Sequence, residues 1–158
     1  MKKKGRINNY NIFASAKEWV AEFARGESNF FIKFQKSKTR SDIVTSLRFS
    51  IAQDFRDLSL LESFVDLTFL NVGMWLKKNR LLCEFIVTKI HHIVNHIIPF
   101  FDKYNIKGSK YEDFLNFKKS ALILKNKEHL NQDKVGLKKI LLLKNKSKGT
   151  PYSVLRTP

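Results

Sequence analysis

Trp19, Val20, Phe23 and Ala24 recur at helical spacing, and a helix with one apolar stripe is predicted over residues 16–27. At Gly26–Glu27 the pattern changes to strict alternation. Phe30, Ile32 and Phe34 interleave with Asn29, Phe31, Lys33 and Gln35. After the polar turn "KSKTRSD" the same alternation returns over 43–53, where Leu47, Phe49 and Ile51 interleave with Ser46, Arg48, Ser50 and Ala52. Alternation of this kind belongs to half-buried strands, so both carry one apolar face and one polar, basic face.

Helical spacing resumes in "DFRDLSLLESFVDLTFL", with Asp57 in the N-cap region and an end near Phe69; Asn71–Gly73 closes it. Residues 74–89 suit two more strands joined by "KKNR", the second being "LLCEFIVTK". A helix over 90–104 is expected to end near Pro99 or just beyond, the loop "YNIKGSK" follows, and two further helices cover 110–128 and 132–146. The order is that of an α+β domain: a four-stranded antiparallel sheet with helices on one face. Its expected bounds are 16–146, between a basic extension at 1–15 and a basic tail at 147–158.

Charge makes the second sheet face informative. The 158 residues hold 30 Lys and Arg against 14 Asp and Glu, a formal charge of +16, which favours a polyanion. Asn29, Lys33, Gln35, Ser46, Arg48 and Ser50 line one face, and Lys77, Lys78 and Arg80 stand at a hairpin edge. Cationic side chains there suit phosphates; amides and hydroxyls suit base edges or sugars. Lys2, Lys3, Lys4, Lys144, Lys146 and Lys148 extend the basic surface into the ends, which have no core pattern and suit phosphate grooves. Phe31, Trp75 and Tyr152 are able to stack on bases, although packing is the ordinary role for each. No apolar run has the length of a membrane span, and "MKKKGRINNY" has no hydrophobic signal region. The single cysteine, Cys83, lies in an apolar run as a buried thiol. Heavy use of Lys, Asn, Ile, Leu and Phe is the mark of an AT-rich genome and of synthesis inside an organelle.

The succession of helix, Gly-Glu, strand pair, helix and strand pair resembles the LAGLIDADG homing endonucleases, whose motif falls on "VAEFARGES", Val20 to Ser28. The likeness continues through "FSIAQDFRD", "EFIVTKI", "IIPFFDKYNIKGSKYEDFLNFKKSALILKNKEHL" and "LKKILLLKNKSKG". It is similar to the C-terminal half of the two-motif, mitochondrial intron-encoded members. The resemblance implies the αββαββα half-domain, in which each half brings one acid to a divalent metal between the scissile phosphates. It places the metal ligand at Glu27, the polar residue that positions water or metal at Gln53, and the lysine that assists at the phosphate at Lys89. Mg²⁺ is the implied cofactor of an active enzyme; a non-catalytic chain needs none.

The motif departs from the family pattern. Glu22 stands where the family keeps glycine, Ser28 replaces its final glycine, and Arg25 takes a position usually acidic or small. Positions 18, 22, 25 and 26 share a helical stripe, and burying that charge against a second copy is costly, so a homodimer is disfavoured unless Arg25 of one chain meets Glu22 of the other. In "KIHHIVNHII" His92 and His96 have a spacing able to hold zinc, but no second ligand pair follows and solvated imidazoles are expected. The resulting expectation is a non-catalytic RNA-binding protein, an rRNA-binding component of the mitochondrial ribosome or a similar organellar ribonucleoprotein, with Glu27, Gln53 and Lys89 as relics. The alternatives are an active homodimeric endonuclease cutting double-stranded DNA with Mg²⁺, and an intron maturase.

Overall fold

A computed structural model describes residues 9–39, 42–68, 72, 74–77 and 81–146. Lys2, Lys3, Lys4, Lys78, Arg80, Lys148 and Tyr152 lie outside these residues, as do the side chains of Trp75 and Lys77. Helix α1 (Asn9–Glu27) leads directly into β1 (Ser28–Lys36), which returns as β2 (Ile43–Asp54). A short 3₁₀ turn (Phe55–Asp57) opens α2 (Leu58–Thr68), and β3 (Met74–Lys77) and β4 (Leu82–Val87) follow. The rest is helical: α3 (Ile90–His92), a wide π turn (Ile93–Ile97), α4 (Ile98–Lys103), α5 (Ser109–Lys125), a 3₁₀ turn (Glu128–Leu130) and α6 (Val135–Lys146).

The strands form one antiparallel sheet in the order β1-β2-β4-β3. Alternation decides which face is buried. Phe30, Ile32, Leu47, Phe49, Ile51, Phe85 and Val87 lie on the covered face, and all are 5% exposed or less. Phe30 organises that core: its ring lies 5.2 Å from Phe49, 5.4 Å from Phe101 on α4, and 5.5 and 5.3 Å from Phe114 and Phe117 on α5. Each such buried aromatic contributes about 1.5–3 kcal/mol through burial alone. Among the described residues no helix is long and apolar enough to cross a membrane.

Two local expectations change. The cap of the segment after β2 is Asp54 rather than Asp57: its carboxylate accepts the Arg56 backbone N–H at 2.9 Å and the Arg56 guanidinium at 3.2 Å, which holds this carboxyl below its usual range. Asp57 lies inside the turn that this cap starts. Pro99 does not end the helix around it, because it occupies the first turn of α4, where a missing N–H costs little. The π turn just before it re-registers the helix.

Candidate cleavage site and nucleic-acid interface

Helix α1 buries Val20, Ala21 and Ala24 and leaves Glu18, Glu22, Arg25, Gly26 and Glu27 exposed. Trp19, 46% exposed, stacks on Phe23 with centroids 5.4 Å apart. Arg25 pairs with Glu22 of its own helix at 3.4 Å, so two charges of the exposed stripe already compensate each other within one chain. Ser28 continues the helix into the sheet. The residue is 3% exposed, on the core side, and its hydroxyl has no hydrogen-bond partner among the described residues.

The register gathers some of the expected residues and separates others. Ser28 faces Ile51, so Glu27 and the half-buried Gln53 stand at one end of the sheet. Gln53 faces Cys83 at the start of β4; Lys89 follows the opposite end of β4, as the residue that opens α3. The lysine beside the motif is instead Lys110, from the first turns of α5, whose ammonium donates to the Ser28 carbonyl at 2.7 Å. Gly108, at φ +80°, makes the bend that admits α5 at this point. Sequence reasoning missed Lys110 because the contact spans 82 positions; the only signal was its place at the end of "NIKGSK".

Chemically, this end of the molecule offers one exposed carboxylate, an amide and an anchored ammonium. Among the described residues no three His, Cys, Asp or Glu side chains cluster as a metal site. The Glu27 carboxylate is an oxygen donor of the kind that divalent cations take as one ligand among several. The histidines do not form a substitute. His92 and His96 lie edge-on with centroids 6.1 Å apart, and burial, helped by His91, Lys89 and His96, lowers the pKa of His92. Cys83 is a free, buried thiol whose pKa burial raises, leaving it in its unreactive protonated form.

The open sheet face is only partly what alternation implies. Lys33, Gln35 and Ser46 are exposed, with Lys33 facing Ser46 across β1 and β2, and Asn29 is half-buried. Ser50 is buried at 5% exposure, and Ile86 opposite it at 4%. Arg48 reaches diagonally across this pair to Glu84, with Nη2 and Oε1 2.8 Å apart. Arg48 is thus an ion-paired residue, 38% exposed, anchored on a carboxylate that is only 5% exposed. Lys144, expected to extend the basic surface, lies in α6 within the helix expected over 132–146, with its ammonium 5.2 Å from the Phe34 ring and 5.9 Å from the Phe31 ring. This cation–π contact and half-burial explain why Phe31 is not an open stacking platform. Lys146 ends the same helix, exposed.

Comparison with known proteins supplies what geometry alone leaves open. The LAGLIDADG endonuclease family matches residues 21–121. Probable intron-encoded endonuclease 2 of Neurospora crassa is 55% identical over 128 residues, which are 80% of this chain and 26% of that protein. The homing endonuclease I-SmaMI, solved bound to cleaved DNA, superposes with a TM-score of 0.78 at 31% identity over 87% of this chain and 46% of that one. It has also been solved on uncleaved target with calcium ions present. I-LtrWI bound to its target DNA gives a TM-score of 0.74 at 36% identity, over 92% of this chain and 46% of that one. The chain spans about a quarter of that curated relative and just under half of these solved structures.

These findings overturn the expectation of a non-catalytic rRNA-binding ribosomal component, since the relatives are intron-encoded endonucleases and the solved neighbours hold DNA. The physical reason for the error is that a net positive field and basic ends attract any polyanion, and so do not discriminate RNA from DNA. The findings fit the endonuclease alternative better. By the motif helix, the β1–β2 and β3–β4 pairs, and the family match over 21–121, this chain belongs to the LAGLIDADG endonuclease family.

Proposed function

We propose that this chain acts as one half of a sequence-specific, divalent-metal-dependent DNA endonuclease, in a mitochondrial context. The observation that carries the reading is the gathering of Glu27, Gln53 and Lys110 at one end of a sheet whose open face bears Lys33 and Arg48. Duplex DNA lies along that face, with Lys33 on phosphates and Asn29, Gln35 and Ser46 toward sugars or base edges. Glu27 would hold a divalent cation such as Mg²⁺, which when bound would stabilise charge on the attacking and leaving oxygens of a phosphodiester. The Gln53 amide orients water beside it. The Lys110 ammonium, tied to the Ser28 carbonyl, keeps a positive charge close to the reacting phosphate. The second carboxylate comes from another half of the same fold docked on the exposed stripe of α1. An intron-encoded fungal relative and the AT-rich composition support the mitochondrial setting.

The test is cleavage of duplexes selected for binding. With a second half of the same fold present, the chain should cut them in Mg²⁺ and bind without cutting in Ca²⁺. Glu27→Gln should abolish cutting and leave binding within about threefold of the natural chain, because an exposed side chain at the cleavage end contributes little to phosphate contacts elsewhere. Cutting that survives Glu27→Gln, or a chain that binds no duplex, refutes the reading.

A further inference from the structure

The pair Arg48–Glu84 is not explained by attraction to phosphate. A side chain that serves only as a positive charge gains nothing from being neutralised by a carboxylate 2.8 Å away, and exposed Lys33 already offers uncompensated charge on the same face. A carboxylate that is 5% exposed does, however, fix the guanidinium in one orientation. Arginine carries five N–H donors in a planar fork, and the Glu84 contact through Nη2 leaves donors over on a side chain that is 38% exposed. The contact spans the Ser50–Ile86 pair on the open face, between Arg48 on β2 and Glu84 on β4. A guanidinium held in this way presents a preset pair of donors at one place and pays little ordering entropy on binding. The base edge that accepts two parallel N–H bonds in the major groove is that of guanine, through O6 and N7.

Resting on the reading of this face as a DNA-binding surface, we propose that Arg48 is a specificity-determining residue that reads one guanine, and that Glu84 is its positioning residue. A lysine at 48 keeps the charge and loses the fork; a glutamine at 84 keeps the shape and loses the ionic anchor.

The experiment is selection from a randomised duplex pool with the full chain, followed by sequencing of what is retained, with thermal melting to confirm that each variant is folded. The natural chain should enrich guanine at one position by about tenfold or more over other bases, the discrimination of a good bidentate contact. Arg48→Lys should erase that preference, leave the other enriched positions unchanged, and alter affinity for unselected duplex by less than about threefold. Glu84→Gln should weaken the same preference and no other. The inference is overturned if Arg48→Lys keeps the guanine preference, if every enriched position fades equally, or if the natural chain binds duplex without enriching any sequence. If Glu84→Gln keeps the full preference, the positioning role is overturned. Failure of the natural chain to bind any duplex is a separate result: it removes the endonuclease reading itself before any substitution is made.

Discussion

Two lysines compete for the same chemical role, and single side chains decide between them. Lys110 reaches the backbone beside Glu27, whereas Lys89 opens a helix at the other end of β4. Loss of a positioned cation at a reacting phosphate costs about a hundredfold in rate. Lys110→Met should therefore slow single-turnover cleavage by about that factor with duplex affinity nearly unchanged, while Lys89→Met should leave the cleavage rate within about threefold. The reverse pattern would restore Lys89 to the site. Ser28 shows a different kind of residue-scale compromise. At the position where the motif ends in glycine, this chain carries a side chain whose hydroxyl is buried without a partner among the described residues, beneath the helix end that presents Glu27. A buried polar group left unsatisfied costs about 1–3 kcal/mol, so the departure from glycine is tolerated here rather than favoured.

At the scale of elements, the tightest crossing is between α6 and the 3₁₀ turn Glu128–Leu130. A Cβ built on Gly136 would stand 2.5 Å from the Glu128 carbonyl carbon and oxygen and 2.7 Å from the His129 nitrogen. Because the obstruction is backbone, it cannot be relieved by a rotamer change. Gly136→Ala should destabilise the fold by about 1–3 kcal/mol, visible as a lower midpoint in chemical denaturation with an unchanged slope. Gly136 gives no such sign in the sequence, where it sits unmarked in "KVGLKK". The elements that were legible are those whose environment differs from face to face: β1 and β2 alternate because one face is covered and the other meets solvent over most of their length. Over Cys83–Val87, β4 is buried on both faces and reads as an apolar run, a pattern that gives no hint of Glu84 as the anchor of Arg48. Glu27 and Gln53 are assigned through the family resemblance rather than from any local period, and the register puts both at one end of the sheet. Lys110 and the Arg48–Glu84 pair were not legible, since both depend on diagonal or long-range contacts that no local period records.

For the molecule as a whole, charge and topology act together. The motif holds two exposed carboxylates, Glu22, which pairs with Arg25, and Glu27, and no three-ligand cluster occurs among the described residues; under the proposed reading a complete cleavage site therefore takes two halves. The internal Glu22–Arg25 pair lowers the charge penalty of bringing the motif helices together, which the sequence alone made appear larger. The sheet has a further consequence. β1 is its outer strand, nine residues long and rich in phenylalanine, the kind of edge to which another strand can add. Lys33, Lys36 and Lys144 stand along that edge, so two copies approaching side by side present like charges, on chains that each carry +16. Part of what guards the edge is therefore an ionic atmosphere, whose range shrinks from about 10 Å at 0.1 M salt to about 3 Å at 1 M. Light scattering of the nucleic-acid-free chain should accordingly rise between those concentrations, with particles growing beyond a pair; a flat trace would show that the lysines are not what keeps the edge apart. Electrolyte that releases this protein from DNA would, by the same screening, remove its colloidal protection.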